Sequence, residues 1–363
     1  MSTRFEPDYA AARADFAQAA RGAGASLESH PHPLRGPGGE ALAVDTAWLG
    51  PRDAERVLVT VSATHGVEGI YGGACQRAHL RRVAREGLPE GQAMLVVHAL
   101  NPHGYAWSRR VDHENIDVNR NHVDFTRPLP ANPGYATVHR MLDALEPTAA
   151  GMAAFEQAMG AFVAREGRAA IAAATGGQHT HPDGIFFGGL APSWSRRTLE
   201  AIVGRWLRQA RAIALLDHHT GLGPHGHTEI ICRHPVASRP LALARGWYGS
   251  DVTSPGAGES QSAAGEGGVR DAFDAWCPQA LVVAVALEVG TIDERLVFFA
   301  LVADHVLRTR GEPSSPAAEA VRRRIRAAFY CDDDAWRERV LRRSMELHDA
   351  AQAGLAALGR PSN

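Results

Sequence analysis

His65 and Glu68 form an H-x-x-E directly after the β-branched run 57–61, with Gly66 and Gly69 freeing the backbone between and after them. A residue on such a loop and another on the first turn of the following helix reach one point in space. Catalytic zinc takes three nitrogen or oxygen ligands from the protein and keeps a fourth position for water. His65 and Glu68 would supply two of the three. The same four residues also suit a capping glutamate beside a loop histidine, and H-x-x-E by itself recurs by chance.

A third ligand must come from elsewhere in the chain, and Asp217-His218-His219-Thr220-Gly221 has the right form. Strand alternation sends Asp217 and His219 to one face and His218 to the other. An aspartate beside a ligating histidine orients its imidazole; the competing reading is a histidine satisfied in the core. Glu288 closes the apolar run 280–287. A carboxylate there is costly unless paired or used, and it suits a general base as well as a salt bridge to an arginine. The loop 108–121 adds Arg109, Arg110, Asn119 and Arg120, and arginine beside an amide is a common way of gripping a carboxylate. A solvated basic loop is the plainer alternative.

The elements that position these residues read as α/β. Runs 57–61, 94–100, 212–216 and 280–287 are buried strands, each followed at once by polar residues, and 228–232 is a further short strand. In open α/β sheets ligands bind beyond the carboxyl ends of the strands, so His65/Glu68, Asn101, Asp217/His219 and Glu288 are expected at one site. Helices are expected over 9–21, 68–85, 137–145, 149–174, 195–211, 296–308 and 334–358. Long polar loops cover 101–135 and 176–194, and such loops are uncommon in a compact domain unless functional. The Gly/Ser-rich stretch 250–268 is the most flexible by composition and is expected to act as a lid. With no internal repeat or long linker, 1–363 reads as one domain, its core about 5–310 and its C-terminal helices about 313–358.

Composition narrows the function classes. In 363 residues, 45 % are hydrophobic and 21 % charged, enough to bury a sizeable core. A net charge of −2 gives no basic surplus for nucleic acid or an anionic membrane. Four cysteines, with no close pair, read as reduced thiols in a cytoplasmic protein. The N-terminus lacks a signal-peptide pattern, and the apolar run 280–287 is far short of the roughly 20 residues a membrane helix needs. No G-x-S-x-G occurs, which disfavours a serine hydrolase.

Taken in order, His65-Gly66-Val67-Glu68, Asn101-Pro102-His103-Gly104-Tyr105, Arg110 to Asn121, Asp217 to Gly221 and Leu287-Glu288-Val289-Gly290-Thr291 resemble the zinc carboxypeptidase family. The similarity is nearest to a bacterial branch of unknown function, near the succinylglutamate desuccinylase and aspartoacylase members, through the segments 62–69, 176–189, 192–195 and 219–223. The resemblance implies a mixed, largely parallel eight-stranded sheet between helices. It implies His65, Glu68 and His219 as ligands of one Zn2+ per chain, Glu288 as general base and proton shuttle, and Arg110 as the group polarising the scissile carbonyl. Asn119 and Arg120 would hold the substrate's terminal carboxylate. The expected activity is carboxypeptidase action on short peptides. Deacylation of N-acyl amino acids uses the same ligands, and an inactive zinc-binding protein is a third reading, disfavoured by the presence of both Glu288 and Arg110. The aromatic residue that closes over substrate in digestive carboxypeptidases has no counterpart in 250–268, and no residue is assigned to side-chain preference. Histidines 103, 113, 122, 179, 181, 225 and 227 crowd the same loops; His179 or His181 is a candidate substrate contact, and a second metal site is a minor alternative.

Overall fold

Apolar runs too short for helices and rich in Val, Leu and Ile pair side by side in the computed structural model, which describes residues 4–260, 265–312 and 315–358. The strands are β1 (Ser26–Arg35), β2 (Ala41–Leu49), β3 (Arg56–Val61), β4 (Gln92–His98), β5 (Ala212–Thr220), β6 (Thr228–Ile231), β7 (Val252–Thr253) and β8 (Leu281–Val289). They form one eight-stranded mixed sheet in the order β1-β2-β4-β3-β5-β8-β6-β7. The central four, β4, β3, β5 and β8, are parallel, so the ends that carry polar residues all lie at one edge.

Both faces are covered, as a parallel centre requires. On one face Leu58, Leu216 and Leu287 pack with Phe16 of α1 (Tyr9–Gly22), Leu80 of α2 (Gly69–Glu86) and residues of the helices Arg239–Tyr248 and Asp334–Leu358. On the other, Val59, Leu215 and Ala284 pack with the helices Trp194–Trp206 and Val269–Trp276. A separate apolar cluster joins Tyr135–Asp143, Ala149–Glu166 and Arg168–Thr175 to Glu294–Arg310. The short helix Pro102–Ala106 follows β4, and Pro316–Phe329 precedes the C-terminal helix.

Several elements differ from expectation. The hairpin β1–β2 is not visible in the sequence: β1 is an edge strand with two prolines and a largely exposed pattern, and β2 is buried along nearly its whole length, so neither alternates cleanly. The helix expected over 149–174 is two, broken at Gly167, whose φ of 58° lies in the left-handed region. The helix expected over 195–211 ends at Trp206. Strands β5 and β8 run on past their apolar cores because their mutual pairing continues to Thr220 and Val289. His219 and Glu288 therefore stand within strands, where register fixes them. Of the stretch expected as a lid, 261–264 lie outside the described residues, as do 313–314 of the C-terminal region. Among the described residues no helix is long and apolar enough to cross a membrane.

Candidate metal and catalytic site

Two strand ends are bent by non-glycine residues in the left-handed region, Ala63 after β3 (φ 55°) and Ala99 after β4 (φ 58°). Such backbone costs on the order of 1–2 kcal/mol per residue. It is held by cross-links between the two turns, from Leu100 N–H to Ser62 O and from Asn101 N–H to Ala63 O, both 2.9 Å. His65 follows, and Gly66 lies so close to Gly104 that a Cβ would come within 2.1 Å of that backbone. The amides of Gly66 and Val67 donate to the carbonyls of Arg110 and Arg109. The H-x-x-E turn and the arginine loop are thus one unit.

His65, Glu68 and His219 are 4 %, 1 % and 2 % exposed and converge. Glu68 Oε1 is 2.9 Å from His65 Nδ1, and its Oε2 is 2.9 Å from His219 Nδ1. The two Nδ1 atoms face each other at 3.2 Å. The outer nitrogens are held by carboxylates: His65 Nε2 by Asp117 at 3.1 Å and His219 Nε2 by Asp217 at 2.7 Å. Thr64 Oγ1 donates to the other Asp217 oxygen at 2.7 Å. Two imidazole nitrogens and a carboxylate aimed at one small volume, each imidazole oriented from behind, form a donor set that fits a divalent cation such as zinc.

The charges reflect this crowding. Burial pushes the Glu68 carboxyl up, but His65 and His219 outweigh it and hold it at about 2. Burial lowers His219, yet Asp217 and Glu68 bring it well above the ordinary imidazole value. Asp117 is raised by burial and held far lower by Arg110 and His65.

Glu288 stands beside His219 in the β5–β8 register, and its Oε1 accepts from Leu222 N–H at 3.1 Å. Burial and the charge of Glu68 push its carboxyl up to about 7. Arg110 donates from Nε to Asp117 at 3.1 Å and from Nη1 to Glu68 at 3.4 Å. Arg120 is held by backbone carbonyls, Asn119 O at 3.0 Å and Thr175 O at 3.2 Å, and among the described residues its Nε is buried without a partner. Asn119 Oδ1 accepts from Val269 N–H at 3.1 Å.

The sequence reading missed Asp117 as the shared partner of His65 and Arg110; its place between arginines and asparagines was the available signal. Glu229 was also missed: it sits opposite Glu288 in the β6–β8 register and accepts from Thr253 Oγ1 at 2.6 Å. His218 points to the opposite face, against Tyr71 and His348. His179 is tied to Gly189 O at 2.7 Å, and His181 packs against the His139 ring at a tilt. Among the described residues two other groupings, Asp112/His113/Glu114 and His139/Asp143/Asp183, include exposed carboxylates.

The chain is similar to several solved structures. It resembles the succinylglutamate desuccinylase from Chromobacterium violaceum at 14 % identity and TM-score 0.39, covering 85 % of this chain and 75 % of that one. With carboxypeptidase A from Helicoverpa armigera the values are 13 % and 0.46, over 88 % and 73 %. With an aspartoacylase family protein from Mesorhizobium loti they are 15 % and 0.38, over 78 % and 66 %. A comparison with curated proteins gives no match. Over residues 5–343 the sequence matches a family model, and the chain belongs to that family, described as protein of unknown function (DUF2817).

Proposed function

We propose that the chain is a zinc-dependent hydrolase of an amide bond next to a free carboxylate, a carboxypeptidase acting on short peptides. The observation that supports this most directly is the joining of a braced His65–Glu68–His219 donor set to Glu288, a buried carboxyl raised to about 7, on the adjacent strand. A structural metal site has no use for a costly acid held beside it.

His65, Glu68 and His219 would hold the ion, with Asp117 and Asp217 fixing the imidazoles. When bound, zinc lowers the pKa of water and polarises a carbonyl. Glu288 takes the proton that water loses as its oxygen adds to the carbonyl carbon. It then gives that proton to the amide nitrogen as the C–N bond breaks, so a carboxylate and a free amine leave. Arg110, kept in orientation by Asp117, donates to the oxygen that becomes negative, an effect typically worth about 3 kcal/mol per donor. Arg120 has uncommitted charge for the substrate carboxylate, and gripping that end aligns the scissile bond before reaction.

The test pairs metal counting with turnover. Purified protein, His219→Ala and Glu68→Ala are analysed for zinc per chain. Hydrolysis is then measured on C-terminally free peptides, their amides and N-acyl amino acids. About one zinc in the wild type, little in the variants and cleavage of free-carboxylate peptides alone is the expected result. Full zinc retention in both variants refutes the ligand set, and equal cleavage of the amides refutes the role of Arg120.

A further inference from the structure

Arg339, Arg342, Arg343 and Glu346 recur at helical spacing and form one stripe along the helix Asp334–Leu358. The helix buries Val340, Leu347, Ala351 and Leu355, which leaves the charged stripe at the edge of that contact. There a cavity of about 180 Å³ separates it from the start of β6, and the three arginines, His227, Thr228 and Asp251 line it. That volume is below the roughly 300 Å³ of pockets that take drug-sized molecules, so it suits a small group.

Two features say what kind of group. The first is charge: Asp251 and Glu346 both pair with Arg343, at 2.7 and 3.2 Å. Arg339 donates to the His225 carbonyl at 3.4 Å, and among the described residues neither it nor Arg342 has an acidic partner. The second is Thr228, which is 4 % exposed and whose hydroxyl is buried without a partner among the described residues. A hydroxyl so placed is costly unless something bonds to it.

The walls are fixed in advance. Gly226, at a φ of 70°, takes the left-handed turn without strain and lets Arg339 lie across it; an added Cβ would sit 3.1 Å from the arginine's Cδ. Gly226 N–H donates to Gly290 O and Gly290 N–H to His227 O, both at 2.9 Å. Trp336 Nε1, on the arginine helix, donates to the same Gly290 oxygen at 2.9 Å. Alternation puts Thr228 on the opposite face of β6 from Glu229, so this cavity is separate from the His65–Glu68–His219 centre. A carboxylate is satisfied by a single guanidinium, whereas an anion with three terminal oxygens accepts from two arginines and further donors at once.

We infer that this cavity binds a phosphate-type oxyanion, with Arg339 and Arg342 supplying the charge and His227 and the Thr228 hydroxyl further donors. Free phosphate and a small phosphomonoester carry the same group. The site does not depend on the hydrolase reading.

Calorimetry and thermal melts of the full chain, at ionic strength matched with NaCl, test it with inorganic phosphate, phenyl phosphate and acetate. One equivalent of a phosphate should bind with a Kd below about 5 mM and raise Tm, and acetate should bind at least about tenfold more weakly. Tighter binding of the ester supports a phosphorylated small molecule as occupant, and tighter binding of the free ion supports phosphate itself. Arg339→Gln and Arg342→Gln should each weaken binding at least about tenfold, with melts of the anion-free variants checking that they fold. Thr228→Val should weaken it without lowering the anion-free Tm, since the hydroxyl has no partner there to lose. His219→Ala should bind phosphate as the wild type does. Binding lost in His219→Ala and kept in both arginine variants places the anion at the hydrolytic centre and overturns the inference. Acetate binding as tight as phosphate, or no binding of either phosphate up to about 5 mM, overturns it too.

Discussion

Replacing Asp217 by asparagine isolates what a carboxylate behind a proposed metal ligand contributes. The side chain is buried, with one oxygen 2.7 Å from His219 Nε2 and the other 2.7 Å from Thr64 Oγ1. Asparagine keeps the shape and can still accept one bond from the imidazole. It loses the charge that makes His219 a better donor, and it sets an amide group against Thr64. Loss of such an outer partner typically weakens metal affinity about 10- to 100-fold, or roughly 1.4–2.7 kcal/mol. Asp117→Asn should cost a similar amount in affinity through His65. It should also lower kcat, because Asp117 holds Arg110 through Nε at 3.1 Å and Asp217 does not. Competition with a chromophoric chelator, titrating Zn2+ into metal-free protein at neutral pH, measures each affinity. If the two sites act independently, the double variant shows the product of the single effects. A folded Asp217→Asn protein with an affinity within about twofold of wild type would refute the argument that this carboxylate orients a ligand.

Three other outcomes follow from the same geometry. His219 is held protonated between Asp217 and Glu68 in the metal-free protein, so zinc uptake at pH 7 should release about one proton, read by calorimetry in buffers of different ionisation enthalpy; uptake without release contradicts the assignment. Glu288→Gln should retain zinc yet lose roughly 100- to 10,000-fold in kcat. The wild-type rate should rise with pH as Glu288 ionises, and a bound cation offsetting Glu68 places that limb below 7; persistence of the limb in Glu288→Gln would assign it to another group. Buried His98, His122 and His348 are lowered, mainly by burial, to about 3, 3 and 4. The unfolded chain binds protons below about 6.5 that the native state refuses, so their contribution is fully present above that pH and is lost as pH falls toward the folded values. Each adds a slope of up to about 1.4 kcal/mol per pH unit, so urea midpoints should drop steeply between pH 6 and 4; a flat profile would mean that these rings are not held neutral.

What could be read beforehand followed locality. His65, Glu68, His219 and Glu288 were legible because each adjoins an apolar run whose end is visible in the chain. Alternation put His219 and His218 on opposite faces, and the family resemblance pointed to His219. Asp117 was not assigned, since its partner His65 lies 52 residues away and only the fold brings them together. The hairpin β1–β2 escaped because burial on both faces of β2, and prolines in β1, erase the period that marks a strand.

The strand order also dictates a sequence of events in time. β8 is the last strand to be synthesised, yet it lies between β5 and β6. Until it emerges, β6 and β7 have only each other to pair with, and a two-stranded ribbon of that size has little stability of its own. A nascent chain can therefore gather His65, Glu68 and His219 on β3, its following turn and β5 while Glu288 is still unmade. Insertion of β8 then closes the sheet and brings Glu288 between His219 on β5 and Glu229 on β6. Pairing a central parallel strand last is slow and exposes edges meanwhile. On the proposed reading, a ribosome stalled before residue 281 would hold a chain with its metal-binding residues made and its proton acceptor still missing.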